Sequence, residues 1–454
     1  MRLQPRPKSE DWLDMKSSFV FLALCFLAFA ATGDTVKDRE GAVRKDRATL
    51  ENDQRWIYND YEKGFAEAKK SGKPLLVVLR CVPCLACAGI DSQVLMQETD
   101  LGPLLDQFVC VRVINANDLD LSLFQFDYDL SFSTLFFNGD GTVYGRYGSW
   151  RHQKDPQDKT TAGYKAALQT ALAIHKGYPA NKASLAGKQG AATPYKKAVE
   201  IPSLAGKYKA QLDWEGKVVQ SCVHCHQIGE AFRAAARQQG KAMTSDLIYP
   251  WPAPETIGFT LAPDKPATVQ SVVGGSVAHT AGLKAGDEMV AFQGQPLVSI
   301  ADVSWVLHHA PDAGSLDAVV RRDGSEQNVK LVLPDGWRKK SDLSRRVTAW
   351  SLRGMATGGL LLEDLADEVR SERGLTPAQM ALLVKYVGQY GIHAAGKNAG
   401  FKKDDVIVEL DGISDRRSEG EMFGTLLQKH SPGEKVRARV LRGSEQVDLN
   451  LPIQ

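Results

Sequence analysis

Residues 75–87 read Leu75-Leu76-Val77-Val78-Leu79-Arg80-Cys81-Val82-Pro83-Cys84-Leu85-Ala86-Cys87, an aliphatic run that ends in three closely spaced cysteines. A short apolar run introduced by Lys73-Pro74 predicts a strand buried on both faces. Cysteines that leave such a strand and open a helix meet free amides and the positive end of the helix dipole, which favour a thiolate. Upstream, Tyr61, Phe65 and Ala68 predict an amphipathic helix in the stretch beginning at Trp56, stopped at Ser71-Gly72. Downstream, apolar strands are expected over 108–114 and 134–137. The turn Asn138-Gly139-Asp140-Gly141 leads into a further strand over 142–147, and residues 163–176 supply a closing helix.

Helix, strand, cysteine motif, helix, strand and hairpin, in that order, resemble the thioredoxin superfamily over about 57–176. The resemblance implies Cys84 as attacking thiolate and Cys87 as resolving thiol, with Cys81 as an alternative partner of Cys84. Three positions depart from the family: Pro83 stands where an aromatic residue is usual, Val78 replaces a buried acid, and Ser133 precedes Thr134 where a cis-proline is expected. The alternative is a degenerate fold whose cysteines are structural or bind metal. Cys110, in mid-strand, reads as a small buried hydrophobe.

With 454 residues the chain is too long for one core. Its 56 basic and 54 acidic side chains leave no net field that would recruit nucleic acid. The run Phe19 to Ala31 follows Met15-Lys16 and contains Ala28-Phe29-Ala30, the layout of a secretory signal peptide. Glu10, Asp11 and Asp14 suit such a leader poorly, so Met15 is the expected start. An uncleaved membrane anchor is the alternative. Residues 32–55 read as a charged leader. Five of the cysteines beyond Cys25 fall in two tight clusters, which points to chemistry rather than a disulfide framework.

The second cluster, Cys222-Val223-His224-Cys225-His226, fits C-x-x-C-H, the spacing at which two thiols bond the vinyl groups of a haem c and the adjoining imidazole, His226, ligates iron. Met243 is the nearest downstream candidate for the sixth ligand, with His175 or His224 as others. A zinc site built from Cys222, Cys225 and a histidine is the competing reading.

The tail carries an internal repeat, SVAHTAGLKAGDEMV at 276–290 against IHAAGKNAGFKKDDVI at 392–407, each followed by a Gly turn, a helix and a hairpin. The run Gly275 to Asp287 resembles the PDZ domains of bacterial envelope proteases. That resemblance implies a peptide-binding loop at Ile257, Gly258 and Phe259, and a groove wall on the helix opened by Ser299 and Asp302, with Val303, Val306 or Leu307 facing the ligand. Gly359 and Leu360 occupy the corresponding loop of the second copy. No serine-protease triad accompanies the modules.

The fold expected is multidomain, α/β plus mainly β. It comprises a signal peptide (1–31), a leader (32–55), a thioredoxin-like domain (56–176), a linker (177–202), a short helical haem-attachment segment (203–253), a PDZ domain (254–335), a linker (336–349) and a PDZ-like domain (350–454). As a whole this resembles the bacterial thioredoxin-plus-PDZ "(seleno)protein" family. An exported thiol–disulfide redox protein of the periplasm or envelope is expected, with haem c and modules that bind the C-termini of client proteins. An electron-transfer partner is implied. A non-catalytic peptide-binding scaffold with a structural or sensory metal or thiol centre is the alternative.

Overall fold

The computed structural model describes residues 38–84, 88–95, 100–148, 161–240, 242–344 and 346–454; the expected signal peptide and Cys87 lie outside them. The first body is a five-stranded sheet of β1 (Trp56–Tyr58), β2 (Leu75–Arg80), β3 (Val109–Val113), β4 (Phe132–Phe137) and β5 (Val143–Tyr147), ordered β1-β3-β2-β4-β5. β3 runs parallel to β1 and β2, while β4 and β5 are antiparallel additions. Every residue of β2 and β4 is buried, as the unbroken apolar runs required.

Strand alternation sends Leu76 and Val78 to one face and Leu75, Val77 and Leu79 to the other. The first face is covered by Tyr164, Leu168 and Ala171 of the closing helix (Thr161–Lys176) and by Ile90 and Val94 of the helix Ala88–Leu95. The second is covered by Ala68 of the helix Tyr61–Ser71 and, further along, by Ala198, Ile201, Val223, Ile228 and Ala231. Fully burying the Val, Leu and Ile side chains among these contributes roughly 1.5–3 kcal/mol each.

The packing around this sheet corrects three expected boundaries. The 177–202 linker is packed structure: Leu185, Ala198 and Ile201 are buried, and Lys188 is wholly buried against Asp302 at 3.1 Å. The 203–253 segment is no separate unit, because its helix Cys225–Gln238 lies on the thioredoxin-like core. Residues 39–50 of the leader form a helix that buries Val43 and Leu50, and Glu40 accepts from the Val219 amide at 3.0 Å. A sparse apolar stripe sufficed because charged partners do much of the holding.

Two β-rich modules follow. In the first, Phe259–Leu261 pairs with Val269–Val272, and a second sheet joins Glu288–Phe292, Gly314–Arg322 and Ser325–Leu333 around the helix Ile300–His308. The second module is one sheet of five strands from Leu360–Asp364 to Glu445–Pro452, with the helix Glu419–Lys429 over it. Residues 336–349 are docked as well: Trp337 is buried, and the buried Arg346 guanidinium bonds Asp127 at 3.0 Å and Asp129 at 2.8 Å. No helix among the described residues is long and apolar enough to cross a membrane.

Candidate thiol and histidine site

β2 delivers its last residue, Arg80, into the interior, where it organises the loop that follows. Its guanidinium donates to the Cys84 carbonyl at 2.8 Å, the Ser131 carbonyl at 3.1 Å, the Cys81 carbonyl and the Asp91 carboxylate at 2.9 Å. The Cys84 amide closes a turn on the Cys81 carbonyl at 3.0 Å, and the Cys81 amide reaches Ser131 at 2.9 Å. The Cys81 and Cys84 sulfurs therefore stand 3.2 Å apart, Cys81 buried and Cys84 partly exposed.

The second cysteine cluster arrives at the same place. Asn117, fully buried after β3, accepts from the Val223 amide at 2.6 Å and donates to the Ser221 carbonyl at 2.8 Å. That pins the start of the helix Cys225–Gln238, whose preceding residue is His224. The His224 Nδ1 lies 3.2 Å from the Cys81 sulfur, and the donor atoms of Cys81, Cys84 and His224 all fall within 4.8 Å of one another. Residues 143 apart in sequence thus share one site, which neither motif announced. The hydrogen bond from Cys81, then His224, holds the Cys84 thiol below its ordinary range despite burial, whereas the same bond and burial push Cys81 up.

Cys222, Cys225 and His226 behave differently. Cys225 sits in the apolar cluster with Val223 and Ile228, and burial pushes its thiol up to about 12. Cys222 approaches the Val223 and Ile114 carbonyls at 3.5 and 3.7 Å, and burial again pushes it up to about 12. The His226 ring lies 5.8 Å from that of His224, its pKa lowered by burial and then by His224. A haem c needs both thiols on one open edge beside the macrocycle. Here Cys225 faces inward among side chains that are almost wholly buried, so the residues present do not fit the group. Met243 is packed in the core of the second β-rich module, its amide on the Leu427 carbonyl at 3.1 Å. His175 is bonded to Tyr144 at 2.9 Å and to the Gly72 carbonyl at 3.0 Å. Neither is positioned as an axial ligand to His226. Accordingly, protein exported from cells with a c-type maturation system should give no pyridine haemochrome; a signal lost in Cys222→Ala would reverse this. Cys110 is buried at 1% exposure and its thiol is pushed up to about 12 by burial.

In the first β-rich module, Ile257 and Phe259 are buried side chains. Gly258 adopts φ +93°, where a Cβ would strike Ser276, and its amide is bonded to the Glu255 carbonyl at 3.1 Å. Val303, Val306 and Leu307 point into the module's core rather than toward a ligand. The helix instead turns Ile300, Ala301 and Ser304 toward a cavity of about 280 Å³ whose opposite wall is Ser133, Thr134 and Arg146 of the thioredoxin-like body. In the second module the Gly359 amide is spent on the Arg353 carbonyl at 2.9 Å, a Cβ there would meet the His393 carbonyl, and Leu360 is fully buried. That loop has no open cradle for a carboxylate.

Residues 56–139 match the thioredoxin-like family model. The chain is 24% identical over 184 residues to the probable periplasmic serine endoprotease DegP-like of Marinomonas sp. (strain MWYL1), covering 40% of this chain and 36% of that protein. Solved structures of the HtrA-type protease AlgW also match. The form with a tripeptide is 22% identical over 21% of this chain and 30% of its own, with a TM-score of 0.17. The form with a decapeptide is 15% identical over 31% and 48%, with a TM-score of 0.20. The chain spans about a third of the DegP-like relative and less than half of these structures.

Proposed function

We propose that this chain is an envelope thiol–disulfide exchange protein in which Cys84 attacks and Cys81 resolves, with the first β-rich module holding the client segment. The observation that carries the reading is the 3.2 Å contact between a partly exposed and a buried sulfur on the loop that leaves β2. Closing to a disulfide bond of about 2.05 Å asks for a movement of roughly 1 Å. The Cys84 thiolate attacks a client disulfide and displaces one client thiolate; Cys81 then attacks the Cys84 sulfur, giving up its proton and releasing the second client sulfur as a thiolate. The client gains two electrons and the Cys81–Cys84 pair loses them. Run backwards, the same steps oxidise a client dithiol. Cys81→Ser should accumulate a covalent Cys84–client adduct, seen on a non-reducing gel; absence of any adduct refutes the assignment.

The client-binding half rests on the cavity between Ser304 and Ser133–Thr134. Its wall adjoins the reactive loop, since Ser131 bonds the Cys81 amide at 2.9 Å. Arg146, 2% exposed, lines the cavity, its Nη1 ion-paired with Asp302 at 3.9 Å and its guanidinium over the Trp305 ring at 3.8 Å. The DegP-like relative is named a periplasmic protease, which supports the envelope location and the module type. Ser304→Trp should fill the cavity and weaken binding of C-terminal peptides by about tenfold or more, measured by fluorescence anisotropy. Unchanged affinity would place the peptide elsewhere.

A further inference from the structure

We propose that Cys81, Cys84 and His224 together bind one thiophilic d10 cation, Zn2+ or Cu+. At metal–sulfur distances of about 2.3 Å and metal–nitrogen distances of about 2.0–2.1 Å, ligand atoms around a tetrahedral ion stand roughly 3.5–3.8 Å apart. The two contacts at 3.2 Å need to open by about half an ångström, and the third pair, no wider than 4.8 Å, to close by at most about 1.3 Å, to accept such an ion. Two sulfurs and one imidazole, with no carboxylate among them, are a soft donor set that disfavours Mg2+ and Ca2+.

The scaffold holds these donors from both sides. Arg80 fixes the Cys84 carbonyl at 2.8 Å, and Asn117 fixes the residue before His224 at 2.6 Å. Cys222 and Cys225 are not members: only the donor atoms of Cys81, Cys84 and His224 meet within 4.8 Å, and Cys225 is buried in the apolar core. Three protein ligands leave a fourth position for water or an incoming thiolate. The site shares its sulfurs with the exchange reaction but does not depend on that reading. Should both hold, metal and disulfide exclude one another: oxidation by a client disulfide removes both thiolate ligands and releases the ion.

The test uses the whole chain, reduced and stripped by a chelator without oxygen. It is titrated with Co2+ as a visible stand-in for Zn2+, and with Cu+ against a coloured cuprous chelator. The expected result is one equivalent of either ion, with the intense visible absorption of tetrahedral thiolate-bound cobalt in the first case. Loss of groups that merely orient ligands weakens metal sites by about 10–100-fold, so Cys84→Ser and His224→Ala should weaken this one by at least about 100-fold. His224→Cys, which keeps a donor, should recover binding, while Cys222→Ser and Cys225→Ser should leave it unchanged. Absence of a one-to-one complex with both ions overturns the proposal. So does a complex that needs Cys222 and Cys225 but not Cys84 and His224. Exchange assayed on the metal-free protein reports separately on the thiol reaction.

Discussion

Cys84→Ser is expected to lower disulfide-exchange turnover, followed as insulin reduction with a dithiol reductant, to the uncatalysed rate. The reason is chemical rather than architectural. Only a thiolate attacks a disulfide sulfur at neutral pH, and a serine hydroxyl in the same place stays protonated. Cys84 is the sulfur with access, since Cys81 is 7% exposed and its thiol is pushed up by its bond to Cys84 and by burial. The substitution removes one atom's nucleophilicity without emptying any core, so circular dichroism should be unchanged. Cys222→Ser and Cys225→Ser supply the contrast: Cys225 is buried, Cys222 lies against the Val223 and Ile114 carbonyls, and exchange should persist in both. Full activity in Cys84→Ser would transfer the chemistry to another cysteine, and loss of activity in Cys225→Ser with an intact fold would revive a role for the second cluster.

How far the sequence reveals this arrangement depends on the range of the interaction concerned. The strand at 75–80 was legible because a run of aliphatic residues beside Lys73-Pro74 has few other fates, and the strands and closing helix around it followed from local period. The helix at 39–50 was missed because only Val43 and Leu50 among its residues are buried, and its third anchor is Asp46, whose partner Arg112 is 66 residues away. Residues 177–202 look like a linker by composition, yet Lys188 is buried because Asp302 waits for it in another module. Each cysteine motif was visible by spacing. Their meeting was not, because it is set by Asn117 and by helix packing on the sheet, features that carry no pattern in a single sequence. The same limit explains the groove. Helical period shows that Val303, Val306 and Leu307 share one face and Ala301 and Ser304 another, but which face meets the core depends on where the neighbouring body docks.

The second large effect concerns Arg112, which joins three elements. Its guanidinium is wholly buried on β3, donates to Asp91 of the helix Ala88–Leu95 at 2.7 and 3.0 Å, and grips Asp46 of the helix Arg39–Leu50 through Nε at 3.1 and 3.2 Å. Arg112→Leu removes the cation shared by Asp46 and Asp91, whose side chains are only 8% and 12% exposed, and leaves Asp91 to Arg80 alone at 2.9 Å. Breaking a buried pair in this way costs about 3–5 kcal/mol, against a net stability of only about 5–15 kcal/mol for a typical domain. The chain has several bodies, so a single unfolding midpoint would blur the effect. Hydrogen exchange is the better measure. Amides of β2 and β3 should exchange at least about 100-fold faster, following 1.4 kcal/mol per decade, and those of the 39–50 helix should lose protection altogether. The pH dependence has a definite sign. Burial pushes the Asp91 carboxyl up, but Arg112 and Arg80 outweigh it and hold the group below its ordinary value. A depressed carboxyl contributes stability that is present above its unfolded pKa of about 4 and is lost as pH falls through the lower folded value. The gap between wild type and variant should therefore be full near neutrality and close as the pH drops below about 4. Adding Asp46→Leu to the same chain should recover part of the loss, because it removes the carboxylate orphaned on the 39–50 helix, while Asp91 keeps Arg80 at 2.9 Å. If the 39–50 amides stay protected in Arg112→Leu, the leader helix is held by its apolar contacts and the bonds of Glu40 and Arg44 to residues 214–219, and the buried ion network is incidental to the docking of the site.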